Sequence, residues 1–192
     1  MSERWAADPE HIASAVERLR QGAVIAFPTD TLYAIAARAA DPAAVARLYH
    51  AKRRPASQPL IWLVDTVSRL EPYALVDAQA RQLMRRYWPG PLTLVLPARS
   101  GAGTLAVRAP NHPVAQALLS QLGEPVASSS ANRAAAAPPV DASAVLEGLG
   151  EDLDLVVDGG SCQIGVASTI LDLSAGEPRI LREGAIPAAE LI

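Results

Sequence analysis

The chain has 192 residues, half of them hydrophobic but only 4% aromatic, enough for one sizeable core built largely from Ala, Val, Leu and Ile. Its net charge of −3 argues against holding nucleic acid through a bulk positive field, so any basic site must be concentrated. One cysteine excludes an internal disulfide, and no apolar run approaches the roughly 20 residues that span a membrane.

Asp8 to Gln21 places Ile12, Ala15, Val16 and Leu19 at helical spacing, with Gly22 as the stop. A strand is expected at Ala23–Phe27, followed at once by the polar run Pro28-Thr29-Asp30-Thr31 in "AFPTDTLYAIAA". Such a run makes a turn, because proline fixes φ and Thr and Asp side chains bond nearby backbone. It also places hydroxyls, a carboxylate and the phenol of Tyr33 at a strand end, where α/β proteins commonly hold ligands.

"DPAAVARLYHAK" opens with Asp41 as N-cap and Pro42 at the first helical position. Lys52, Arg53 and Arg54 follow at its end, either complementing the helix dipole or forming a phosphate clamp. Pro55 favours an extended exit that frees these side chains to reach inward. "PLIWLVD" reads as a buried strand, "DAQARQLMRRYW" as a helix and "LTLVLPA" as a strand after Pro89-Gly90-Pro91.

"TLAVRAP" is a short strand carrying Arg108, a costly residue in apolar surroundings unless it is paired or faces a cleft. His112 stands before the next helix, "HPVAQALLSQLG", and reads as its start. "PVASSS" is a strand running into "SSSAN", Ser128 to Asn132, either a capping turn or a cradle for phosphate oxygens. "RAAAAPPV", Arg133–Val140, reads as an irregular loop.

A helix at Ala142–Leu149 and strands near Leu153–Val157, Ser168–Leu173 and Pro178–Leu181 complete the chain. Ser168 and Arg182 are polar positions at strand ends, consistent with edge-strand protection or with a site. The alternation of strands and helices predicts an α/β domain with a mixed sheet, one domain over 1–192. A Walker sequence, a G-x-G-x-x-G fingerprint and a G-x-S-x-G elbow are all absent, and Cys162 has neither a second cysteine nor a nearby histidine.

In order and separation, "PTDTLY", "KRRP", "WPGPLT", "VRAPNHP", "SSSAN", "STILDL" and "ILREG" resemble the YrdC/TsaC family of threonylcarbamoyl-AMP synthases, over about Gly22 to Gly184. The resemblance implies the short, single-domain form: an open, twisted mixed sheet with helices and a concave, positively lined cavity. It implies synthesis of L-threonylcarbamoyl-adenylate from L-threonine, bicarbonate and ATP, with pyrophosphate released. It also implies tRNA-modifying transferase proteins as partners, while the single cysteine and the lack of a membrane-length apolar run lead us to expect a cytoplasmic location and no membrane association.

Carried over by position, Lys52 and Arg54 would be the catalytic clamp for carboxylate and phosphate groups, and Thr31, Tyr33 and Arg108 would bind threonine and bicarbonate. Ser128, Ser130, Asn132, Ser168 and Arg182 would bind the nucleotide. No protein metal site is visible, so Mg²⁺ is expected to arrive with ATP, near Asp30. The alternatives are a module that grips double-stranded RNA or tRNA without chemistry, and a carbamoyl-adenylating domain of the HypF type.

The sequence departs from the family pattern twice. Ala34-Ile35 stands where the family has Gly-Leu, and alanine lacks access to positive φ. Arg133–Pro138 replaces S-G-x-P.

Overall fold

The computed structural model describes residues 2–192. In chain order the elements are β1 (Glu3–Ala6), α1 (Pro9–Arg20), β2 (Ile25–Pro28), β3 (Tyr33–Arg38), α2 (Pro42–Lys52), β4 (Ile61–Leu63), α3 (Val67–Leu70) and α4 (Ala78–Tyr87). Then come β5 (Leu92–Pro97), β6 (Thr104–Arg108), α5 (Pro113–Leu122), β7 (Val126–Ser130), α6 (Ala142–Leu149), β8 (Leu155–Asp158), β9 (Thr169–Asp172), β10 (Arg179–Arg182) and a 3₁₀ turn at Ala188–Glu190.

Local chemistry sets the helix starts. Asp8, Asp41, Asp77 and Asp141 each accept a backbone N–H of the first turn, which satisfies amides that have no partner inside the helix. His112 does the same for α5, its Nδ1 accepting from Val114 N at 3.2 Å, as its place before Pro113 predicts. Gly123 ends that helix at φ 76, a left-handed conformation open to glycine.

All ten strands join one mixed sheet in the order β1-β8-β2-β3-β7-β4-β6-β5-β9-β10. β2 runs parallel to β8 and antiparallel to β3, and β3 is antiparallel to β7. β4 is parallel to β6, and β5 is parallel to β9. Two of these strands were not expected from the sequence. β3 is made of Tyr-Ala-Ile-Ala-Ala-Arg, half of it alanine, a residue with weak strand preference, yet it is buried between β2 and β7. β1 is a short edge strand carrying Glu3 and Arg4.

Three apolar clusters fill the sheet's two faces. α1 and α5 cover one face over β2, β3 and β8 through Val16, Leu19, Leu118, Phe27 and Val157. α2 and α6 cover the opposite face through Leu48, Ile35, Val145 and Val156. α3 and α4 pack Leu70 and Met84 on Leu92, Leu94, Val107 and Leu171.

The strand register then identifies the remaining surface. Ser128 lies opposite Ala36 and Ile61, Ile61 opposite Ala106, Leu63 opposite Arg108, and Ala106 opposite Val95. Thr93 lies opposite Ile170, and Ile170 opposite Arg182. These partners share one face, the face that α1 and α5 cover only at its other end. It forms the floor of a pocket. Among the described residues no helix is long and apolar enough to cross a membrane.

Because β3 is interior to the sheet and the Ile35 side chain is fully buried, Ile35→Ala is expected to lower unfolding free energy by about 2–5 kcal/mol in urea titrations. A loss below 1 kcal/mol would place β3 outside the cooperative core.

Candidate active site

The polar run Pro28–Thr31 at the end of β2 both makes a turn and builds a wall. Thr29 carries the turn: its Oγ1 donates to Leu32 O at 2.7 Å and accepts from Leu32 N at 3.2 Å. Thr31 Oγ1 sits 3.0 Å from Thr29 Oγ1 and accepts from Arg108 Nη1 at 2.8 Å. Asp30 Oδ1 accepts from Arg108 Nη2 at 2.5 Å and from Asn111 N at 3.0 Å. Arg108 is therefore both paired and on a cleft, and its Nε donates to Gly90 O at 2.9 Å.

The pocket has a volume of about 310 Å³. Thr31, Arg54, Arg108, Ser128, Ser130, Ser168 and Arg182 line it, so seven of the ten predicted positions, spread from residue 31 to residue 182, converge; Tyr33 borders it, but its side chain packs in the apolar cluster on the opposite sheet face. Ile61, Leu63, Val95, Ala106 and Ile170 supply an apolar floor that the polar motifs did not reveal.

Lys52 and Asn132 stand behind the lining. The Lys52 ammonium is buried and donates to Ser130 O at 2.5 Å and Asn132 O at 2.6 Å, stapling the end of β7 to the turn after it. The Asn132 amide donates to Arg133 O and Ala136 O at 2.9 and 2.8 Å, holding the loop that replaces S-G-x-P. That loop is irregular, with Ala135 at φ 67, and its Pro138 reaches the pocket. Ala34 needs no positive φ, because it lies in ordinary strand conformation in β3. The Tyr33 side chain is fully buried, and its hydroxyl donates to Gly160 O at 2.8 Å.

Arg53, at φ 48, takes the left-handed position that ends α2 and lets Lys52 and Arg54 both turn inward. Arg54 donates to Ser129 Oγ at 3.2 Å and to Pro59 O at 2.8 Å, with Nε buried and unpartnered. Arg182 donates to Ser168 O through Nε and Nη2 at 3.2 and 2.8 Å. A bulge in β10 between Ile180 and Arg182 turns both Leu181 and Arg182 toward the pocket. Gly184 lets the chain pass close to the Ala167 and Ser168 carbonyls, which a Cβ there would strike.

The electrostatics favour an anion. Burial and the neighbouring Arg54 push the Lys52 ammonium down to about 8. Burial and Arg54 likewise lower Arg182, and burial lowers Arg108 against the opposing pull of Asp30. Among the described residues no carboxylate lines the pocket, so a bound anion would relieve charges that repel one another. Asp30 does not face the cavity, since its Oδ1 is taken by Arg108 and its Oδ2 is buried without a partner.

Residues 17–184 match the family model Sua5/YciO/YrdC, described as "Telomere recombination". The chain is 40% identical over 182 residues to the threonylcarbamoyl-AMP synthase of Pyrococcus abyssi, covering 90% of this chain and 54% of that protein. It is 39% identical over 194 residues to the threonylcarbamoyl-AMP synthase of Bacillus subtilis, covering 96% and 56%. The crystal structure of P. abyssi Sua5 complexed with L-threonine superposes with a TM-score of 0.93 at 37% identity, over 100% of this chain and 59% of that one. The chain thus spans about half the length of these curated relatives. The ordered motifs, the sheet and the sequence identity agree: this chain belongs to the Sua5/YciO/YrdC family.

Proposed function

We propose that this protein condenses L-threonine, bicarbonate and ATP into L-threonylcarbamoyl-adenylate, in the cytoplasm, for threonylcarbamoyladenosine modification of tRNA. The observation that carries this reading is a single pocket with Arg54, Arg108 and Arg182, several hydroxyls and no acid in its lining, in a chain 40% identical to a threonylcarbamoyl-AMP synthase. The relative named as complexed with L-threonine supports an amino-acid subsite in the same fold.

The chemistry needs no protein nucleophile. The threonine amine attacks the bicarbonate carbon and water leaves, giving a carbamate. A carbamate oxygen then attacks the α-phosphorus of ATP, and the bond to the β-phosphate oxygen breaks to release pyrophosphate. Both steps join anions to anions, so positioning and charge neutralisation supply the catalysis. Thr31 and Arg108 form the wall for threonine and bicarbonate, while Ser128, Ser130, Ser168 and Arg182 hold the nucleotide. Arg54 stands between them as the clamp, and Lys52 and Asn132 keep the Ser130 turn in shape. The product passes to tRNA-modifying transferase proteins.

Mg²⁺ is expected on the ATP phosphates. Its hard-oxygen preference is met here by hydroxyls but by no lining carboxylate, so the triphosphate and water would supply most of its ligands. The bound ion would neutralise phosphate charge alongside Arg54 and Arg182.

Purified protein given ATP and bicarbonate should release pyrophosphate only when L-threonine is added. Release independent of threonine, or carbamoyl phosphate replacing threonine and bicarbonate, would overturn the reading. Arg54→Ala should lower kcat/KM by about 10- to 100-fold while the fold is retained, the loss of a charge-assisted contact worth about 1.5–3 kcal/mol.

A second expectation concerns pH. The Lys52 charge is present below about 8 and is lost as pH rises through that value. Calorimetric affinity for ATP should therefore fall between about pH 7 and about pH 9, and Lys52→Met should flatten this profile. An unchanged slope in Lys52→Met would assign the titration to another group.

A further inference from the structure

Thr93 is a hydroxyl in the otherwise apolar strand β5, fully buried and on the same sheet face as the pocket floor. Its Oγ1 lies 2.8 Å from Ser168 Oγ, and among the described residues this is its hydrogen bond. Ser168 also lies 3.3 Å from Arg182 Nη2, which can only donate.

These contacts fix the direction of the protons. Were Ser168 to donate to Thr93, the Thr93 hydroxyl proton would be left buried without an acceptor, at the cost of a lost hydrogen bond. The satisfied arrangement has Thr93 donating to Ser168 Oγ and Arg182 donating to the same oxygen. Both acceptor positions of Ser168 are then filled, and its own O–H is left to point into the pocket that Ser168 lines.

We propose that Thr93 is a positioning residue that holds Ser168 as a hydrogen-bond donor, so that Ser168 and Arg182 together recognise an anionic phosphoryl oxygen. This rests on the nucleotide reading of the pocket and adds to it a residue that does not touch the ligand. Arg182 gains twice, since the Ser168 carbonyl accepts from its Nε and Nη2 and orients the guanidinium.

The test is calorimetric binding of ATP, and separately of inorganic pyrophosphate, to the wild type and to Thr93→Val, Thr93→Ser, Ser168→Ala and the Thr93→Val/Ser168→Ala double variant. Thr93→Val keeps the shape and loses the hydroxyl; Thr93→Ser keeps the hydroxyl and loses a methyl group. Thr93→Val should weaken binding about 3- to 10-fold, the equivalent of one hydrogen bond, while Thr93→Ser stays within about twofold. In the Ser168→Ala background, Thr93→Val should have no further effect.

Equal affinity of Thr93→Val and wild type, a greater loss in Thr93→Ser than in Thr93→Val, or additive losses in the double variant would each overturn the proposal. Binding of pyrophosphate but not ATP, with the same Thr93 dependence, would keep this inference and reject the nucleotide reading. Binding of neither probe by the wild type would reject both.

Discussion

The pocket depends on one buried ion pair. Asp30 and Arg108, 78 residues apart, meet at 2.5 Å with side chains only 6% and 7% exposed. Arg108 donates to Gly90 O, Thr31 Oγ1 and Asp30 Oδ1, so one guanidinium joins the turn after β2, the turn before β5 and the end of β6. Burying two charges costs several kcal/mol, and their attraction in the interior offsets this only when the geometry is good and other hydrogen bonds are made. Here Asn111 N supplies one of those bonds to Asp30. The pair serves position more than net stability, because it fixes a cation at the pocket wall and ties three separate segments to it.

A chain with net charge −3 thereby keeps a local positive hollow. The cations face the same cavity or stand just behind it, and burial and like-charge repulsion lower Lys52, Arg108 and Arg182 together. Arg108 is neutralised by Asp30, whereas Lys52 and Arg182 meet only carbonyl and hydroxyl oxygens, so their charge is left for an anion to offset. Each motif divides its labour. Thr29, Lys52, Asn132 and Thr93 hold backbone and neighbouring hydroxyls in place, and Thr31, Ser130, Ser168 and Arg182 are presented to the cavity.

Much of this was legible in the sequence because strand ends and helix caps use distinctive residues. Asp41, His112 and Gly123 marked helix ends by side-chain chemistry and by access to the left-handed conformation. β3 was missed because alanine gives no period and little strand preference, and its place was decided by pairing with β2 and β7 rather than by local propensity. The convergence of distant motifs was implied by family resemblance, while the direction in which each side chain points was not. Lys52 turns to two carbonyls rather than lining the cavity, and the Tyr33 hydroxyl is spent on Gly160. Thr93 left a faint signal, a lone hydroxyl inside "LTLVLP", whose partner 75 residues away only the fold identifies.

The most direct test of the central claim is a double-mutant cycle on unfolding free energy with Asp30→Asn, Arg108→Met and the two combined. Each single substitution should cost about 3–5 kcal/mol by leaving its partner's charge buried and alone, and the double should cost no more than either single. Small, additive losses would contradict the account, since they would mean that the Asp30–Arg108 pair does not hold the pocket together.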